Sequence, residues 1–200
     1  STGELNKKIL VTNALPYANG SVHIGHLVGY IQADIWVRFQ KMKEKDCLYL
    51  CASDSHGTPI MLSAESIGLE PEALAEQYTK EHAKDFQDFL IEFDNYHSTH
   101  TTENETLVGE IFNQLNKSGH IEKKIIEQSY DKRQEIFLPD RYVKGICPQC
   151  STEDQYGDNC EKCGATYKPT DLINPISVLS GETPILKKSE HYFMKLSHFE

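Results

Sequence analysis

The sequence predicts an α/β fold with a parallel sheet, followed by a mostly β, metal-binding insert. Three observations lead there. Two short apolar runs alternate with segments of helical period, giving strand, helix, strand, helix. The texture changes after Ser118-Gly119 to short alternating runs. Two Cys-x2-Cys pairs then follow, Cys147 with Cys150 and Cys160 with Cys163. Residues 1–118 are read as the first region and 119–200 as the insert, which looks incomplete at its end.

Lys8 to Thr12 is a β-branched run without helical period and predicts a buried strand. A loop rich in Pro, Gly and Asn follows from Ala14 to Ser21. His23 to Met42 then carries Ile24, Leu27, Val28, Ile31, Ile35, Val37 and Phe39 at helical spacing. Cys47 to Ala52 predicts a second buried strand, with Cys47 and Cys51 on one side of it as core. Helices are expected at Pro59–Ile67, Pro71–Ile91 and Asn104–Lys117, Pro71 suiting the first turn of its helix. Trp36 and Phe39, and Phe86, Phe89 and Phe93, are expected in the core. Between Ile121 and Val143 the runs are short and broken by Asp131, Pro139 and Asp140.

Composition sets the broad class. Of 200 residues, 38% are hydrophobic and 25% charged, as in a soluble globular protein. No apolar run is long enough to span a membrane, and Ser1 to Lys8 is polar, unlike a leader. A cytoplasmic location is expected. The net charge of −10 argues against gripping nucleic acid by bulk electrostatics.

The loop after the first strand holds the most informative residues. In open α/β sheets, ligands bind at the carboxyl ends of strands, and a helix N-terminus suits phosphate. His23 and His26 lie three apart, on one face of the first helical turn, where both imidazoles can donate towards developing negative charge. Gly25 between them leaves room for a flat base. Two histidines in one turn are more often plain surface or core residues; the position after a strand and the intervening glycine favour a nucleotide site.

Ser53 to Pro59 should open on the same edge of the sheet. The Asp54 carboxylate suits an α-ammonium group, and equally suits a helix N-cap. His56 suits either shaping the site or a loop hydrogen bond. His97 and His100 lack further ligands nearby, so a strand and cap region is expected there rather than a metal site.

Two Cys-x2-Cys turns aim four thiolates at one centre, which suits a single tetrahedral zinc ion without an open position, hence structural. Disulfides are the weaker reading in a cytosolic chain. A nucleic-acid-binding zinc ribbon is the rival, but Glu153, Asp154, Asp158 and Glu161 outweigh Lys162 between the outer cysteines.

His23-Ile24-Gly25-His26 matches the signature of class I aminoacyl-tRNA synthetases, and Ala14 to Gly20 resembles the methionyl enzymes in particular. The Asp54-Ser55-His56-Gly57 string, the order of signature before cysteines, and the segment Asp154 to Asn159 resemble that family too. The resemblance covers essentially the whole chain. It implies the first half of a Rossmann-type nucleotide-binding fold, split by a zinc-bearing connective insert. It implies that His23 and His26 stabilise the transition state at the α-phosphate of ATP, and that Tyr17 and Gly25 also contact ATP. It implies that Ala14, Leu15, Tyr17 and Asp54 bind methionine. ATP with magnesium and tRNA(Met) are the implied partners, the tRNA mostly through regions beyond this segment. Lys187-Lys188-Ser189 is not the family's Lys-rich KMSKS loop, so the segment alone is expected to be inactive. The alternatives are another class I synthetase or nucleotidylyl transferase, and a non-enzymatic zinc-bearing interaction protein.

Overall fold

The structure, a computed structural model, describes residues 7–200. Most of the polar Ser1–Lys8 stretch lies outside them. The chain divides into two compact units, one ending at Glu110 and one spanning Ile111–Glu200.

The first unit alternates strand and helix: β1 (Ile9–Thr12), α1 (Ile24–Met42), β2 (Cys47–Ser53), α2 (Thr58–Ser66), α3 (Pro71–Asp88) and β3 (Asn95–Ser98). The sheet order is β1-β2-β3 and both pairings are parallel, Ile9 opposite Cys47 and Leu50 opposite Asn95. Parallel neighbours need a crossover, which α1 supplies for the first pair and α2 with α3 for the second. Pro71 opens α3 and Pro59 lies in the first turn of α2, positions where a missing N–H costs nothing. The tract from His97 to His100 leaves β3 and leads to α4 (Thr102–Lys117), as the strand and cap reading expected.

The core of this unit packs Leu27, Tyr30 and Val37 of α1 against Cys47, Tyr49 and Cys51 of β2 and Phe86 of α3. Cys47 and Cys51 are buried as expected. Three expected core residues are not: Trp36, Phe39 and Phe89 are each about half exposed. The face of α1 that meets the sheet is Leu27, Tyr30, Asp34 and Val37, which turns Trp36 and Phe39 outward. Phe89 lies past the last turn of α3, whereas Phe93 packs on the core. β1 is also not the fully buried strand expected: Ile9 and Val11 are half-buried while Leu10 is 63% exposed. Ile9 and Val11 pack against the core, and Leu10 points to the other side of the strand.

Asp34 is buried because its carboxylate accepts from Arg38 at 2.6 Å and from the Glu92 amide at 2.8 Å. Arg38 in turn donates to the Leu90 carbonyl. Lys41 pairs with Asp94, which also accepts from the Tyr49 amide. These bonds tie α1 to the segment that enters β3.

The second unit is antiparallel. β4 (Ile121–Asp131) pairs with β5 (Ile136–Phe137) and along its length with β9 (Ile185–Met194). β6 (Val143–Ile146) lies between β7 (Gln155–Tyr156) and β8 (Ile173–Ser177). The mostly β expectation holds, but not the short runs: β4 is eleven residues long. Its partner lies far along the chain, so local sequence gives no sign of the pairing. Lys123 and Lys124 lie over the rings of Tyr192 and Phe193 across this ribbon.

Asp131 anchors the unit. It is buried and accepts from the hydroxyls of Ser177 and Ser180 and the amides of Arg133 and Gln134. Burial alone would raise its pKa; these four donors outweigh burial and hold it at about 2.

Candidate active site and metal centre

β1 ends at Thr12 and the chain crosses its carboxyl edge before α1 begins at Ile24. Hydrogen bonds fix this crossing at both ends. Asn13 donates to the Tyr49 hydroxyl at 2.6 Å, and that hydroxyl donates to the Tyr30 carbonyl. The Tyr30 hydroxyl donates to the Ala14 carbonyl at 2.5 Å. Burial pushes the Tyr30 and Tyr49 phenols up to about 12, so both remain donors at neutral pH. Tyr17 and Asp54 then form a parallel bridge, with the Ala18 amide on the Asp54 carbonyl and the Asp54 amide on the Pro16 carbonyl. The loops after β1 and β2 are thereby held side by side.

A cavity of about 400 Å³ opens at this crossing, lined by Ala14, Leu15, Tyr17, Gly20, His26 and Tyr30, among others. Of the residues singled out from sequence, Ala14, Leu15, Tyr17 and His26 thus share one wall. Asp54 is brought alongside through its backbone bridge to Tyr17. It does not cap α2: the cap position is Gly57, without a side-chain cap bond.

His23 sits at the N-cap of α1, and its ring stacks on that of His26 at 3.6 Å between centroids and 17° between planes. A Cβ at Gly25 would stand 3.0 Å from Cε1 of His23, so the glycine leaves space for that ring. The His23 amide donates to Nδ1 of His26 at 3.1 Å. Nδ1 is therefore an acceptor, and the proton of neutral His26 resides on Nε2. Burial, then the charges of His23 and His82, lower the pKa of His26 below its ordinary 6.5. The pair thus presents a neutral ring with its N–H directed away from the helix cap.

Two residues here were not singled out from sequence. Tyr30 is one; its place on the buried face of α1 is the signal that could have found it. His82 is the other: it lies one turn before Phe86 on the buried face of α3 and reaches the Gly20 carbonyl. His56 makes a bond to His100 at 3.0 Å, on the wall of a larger cavity of about 600 Å³ at the ends of β2 and β3.

In the second unit, the Sγ atoms of Cys147, Cys150, Cys160 and Cys163 all lie within 4.8 Å of one another. Cys147 is 3.8 Å from Cys163 and Cys150 is 3.6 Å from Cys160. A tetrahedral ion with metal–sulfur bonds of about 2.3 Å requires edges of about 3.8 Å, so the four fit one ion. The amides of Gln149 and Cys150 point at Cys147 Sγ and that of Cys163 at Cys160 Sγ, the turn geometry of a Cys-x2-Cys knuckle. No cysteine is in a disulfide. Of the acidic residues around the knuckles, Asp158 pairs with Arg141 and Asp154 with Lys144.

The first unit is an α/β unit with a histidine pair beside a cavity at a strand-to-helix crossing, and the second carries a cluster of four cysteine sulfurs that could hold a metal ion. The chain belongs to the class I tRNA synthetase (M) family, whose model matches residues 9–200. It is 60% identical over 194 residues to methionine–tRNA ligases of Francisella tularensis, from subsp. holarctica strain OSU18 and subsp. tularensis strain WY96-3418. Those alignments cover 97% of this chain and 29% of each relative, so the chain spans under a third of their length. The fold resembles the methionyl-tRNA synthetase of Mycobacterium tuberculosis bound by methionyl-adenylate, with TM-score 0.67, 22% identity, and 96% of this chain and 33% of that one covered. It resembles equally the LeuRS of Agrobacterium radiobacter K84 in a ternary complex with tRNA and LeuAMS: TM-score 0.67, 17% identity, 96% and 21% covered.

Proposed function

We propose that this chain is the first part of a methionine–tRNA ligase. The observation that carries the reading is the stacked His23–His26 pair on a cavity walled by Ala14, Leu15 and Tyr17. The two solved structures match the fold equally well, so fold does not choose the amino acid; the 60% identity to methionine–tRNA ligases favours methionine.

In this reading a carboxylate oxygen of methionine attacks the α-phosphorus of ATP. The bond to pyrophosphate breaks and pyrophosphate leaves. A hydroxyl at the 3′ end of tRNA(Met) then takes the methionyl group, releasing AMP. His23 and His26 donate to the α-phosphate as negative charge builds there, His26 through its free Nε2–H. Tyr17 and Gly25 flank ATP. Ala14, Leu15 and Tyr17 hold the methionine side chain, and Asp54 pairs with its ammonium group. Magnesium accompanies ATP. Cys147, Cys150, Cys160 and Cys163 hold one zinc ion, whose four sulfurs leave it no open position, so it supports folding rather than chemistry. Residues 1–118 form the first half of the nucleotide-binding domain and 119–200 the connective insert. A cytoplasmic location goes with this function.

The test is amino-acid-dependent ATP–pyrophosphate exchange by the full-length protein, with methionine, isoleucine, leucine, valine and cysteine compared. Exchange with methionine alone is expected. Exchange with another acid would retain the class I reaction and discard methionine. No exchange from a folded, zinc-loaded sample would discard the enzymatic reading.

A further inference from the structure

His82 is completely buried on α3, yet it is a polar residue. Its Nε2 lies 2.6 Å from the Gly20 carbonyl oxygen. A carbonyl only accepts, so Nε2 must carry the proton. Nδ1 is enclosed and has no hydrogen-bond partner among the described residues. Leaving Nδ1 unsatisfied costs stability that an apolar side chain of similar size would not lose. The bond to Gly20 is what the histidine supplies in return.

Gly20 is a strategic point in the crossing. The bridge at Tyr17 fixes the start of this segment and the cap at His23 fixes its end. Between them, across Gly20, Ser21 and Val22, the Gly20 carbonyl is the one backbone group bonded from outside the loop among the described residues. Gly20 lines the same cavity as His26, and His23 follows three residues later. Movement of Gly20 therefore shifts both the cavity wall and the start of α1.

We propose that His82 is a positioning residue of the adenylate-forming site, setting the reach of His23 and His26 through its hydrogen bond to Gly20. The inference rests on the function proposed above. Misplacement by about 1 Å at such a site costs roughly a hundredfold in rate.

The experiment compares His82→Leu and His82→Gln in the full-length, zinc-loaded protein. The leucine fills the space without a donor; the glutamine amide can still donate to Gly20. Methionine-dependent exchange is expected to lose about tenfold to a hundredfold in kcat in the leucine variant, with the methionine KM within about threefold, and to recover mostly in the glutamine variant. Hydrogen exchange read by mass spectrometry should quicken over residues 18–26 in the leucine variant alone. A folded leucine variant with kcat within about twofold of the parent overturns the proposal. So does a glutamine variant as impaired as the leucine one. If His82→Leu does not fold, the glutamine variant decides: parental kcat and parental protection over residues 18–26 support the proposal, and loss of either overturns it. If the parent itself shows no exchange, the functional reading fails, and the hydrogen-exchange comparison alone decides whether His82 anchors the loop.

Discussion

Gly57 has φ +117°, and a methyl group there would stand 2.9 Å from the Tyr17 hydroxyl. Gly57→Ala therefore meets both a left-handed backbone and a clash with the ring that walls the cavity. It is expected to cost about 1–3 kcal/mol in urea denaturation and to raise the methionine KM. Unchanged stability together with an unchanged KM would remove Tyr17 from that wall. His26 carries a second prediction. The fold lowers its pKa below 6.5, so the neutral, donating form persists to lower pH than in a free imidazole. Protonation as pH falls fills Nδ1 and breaks the bond from the His23 amide. The acid limb of kcat/KM for exchange is thus expected below pH 6.5, and a limb above that value would contradict a neutral His26 donor. His23, Gly25, His26 and Asp54 could be singled out as candidates from the sequence alone. The tautomer of His26, and the roles of Tyr30 and His82, could not. The first depends on the ring orientation set at the helix cap, and the other two on atoms 16 and 62 residues apart that only folding brings together.

At the scale of elements, the clustering of the four cysteines was legible because each pair lies within a single tight turn. Removing the metal should have a local effect. A structural zinc held by four cysteines contributes on the order of 10 kcal/mol, and the four sulfur atoms here lie within 4.8 Å of one another. A strong chelator is expected to remove one zinc per chain and to abolish hydrogen-exchange protection over about residues 145–165, while β1 to β3 remain protected. Retained order around the cysteines after zinc loss would refute a structural role. α1 was located correctly, but its apolar positions were too broadly spread to fix the buried face. The sequence offers Ile24, Leu27, Val28, Ile31, Ile35, Val37 and Phe39 at helical spacing without choosing among them, and the sheet buries Leu27 and Val37 together with Tyr30 and Asp34. A carboxylate occupies that face because Arg38 and the Glu92 amide satisfy it. β4 was read as broken short runs because few of its side chains are buried, and its long partner strand begins only at Ile185.

At the scale of the molecule, the outward stripe of α1 has a consequence. Ile24, Val28, Ile35, Phe39 and Met42 are all exposed, as are Leu10 and Leu48 on the sheet. Monomeric proteins seldom expose contiguous apolar surface beyond about 300–600 Å². The 200-residue segment expressed alone is expected to bind ANS and to associate with rising concentration in sedimentation. A monomeric segment that leaves ANS dark would show that the stripe is covered. By itself the sequence determined the α/β alternation, the crossing loop with its histidine pair and the pairing of the four cysteines in two Cys-x2-Cys turns. Each of these is written in short-range spacing that local backbone geometry enforces. Only the tertiary structure decided which face of α1 is buried, that β4 pairs with β9, and that His82 reaches Gly20. Those outcomes depend on how distant apolar faces pack and on which buried polar atoms find partners, and neither is encoded within a turn of helix or strand.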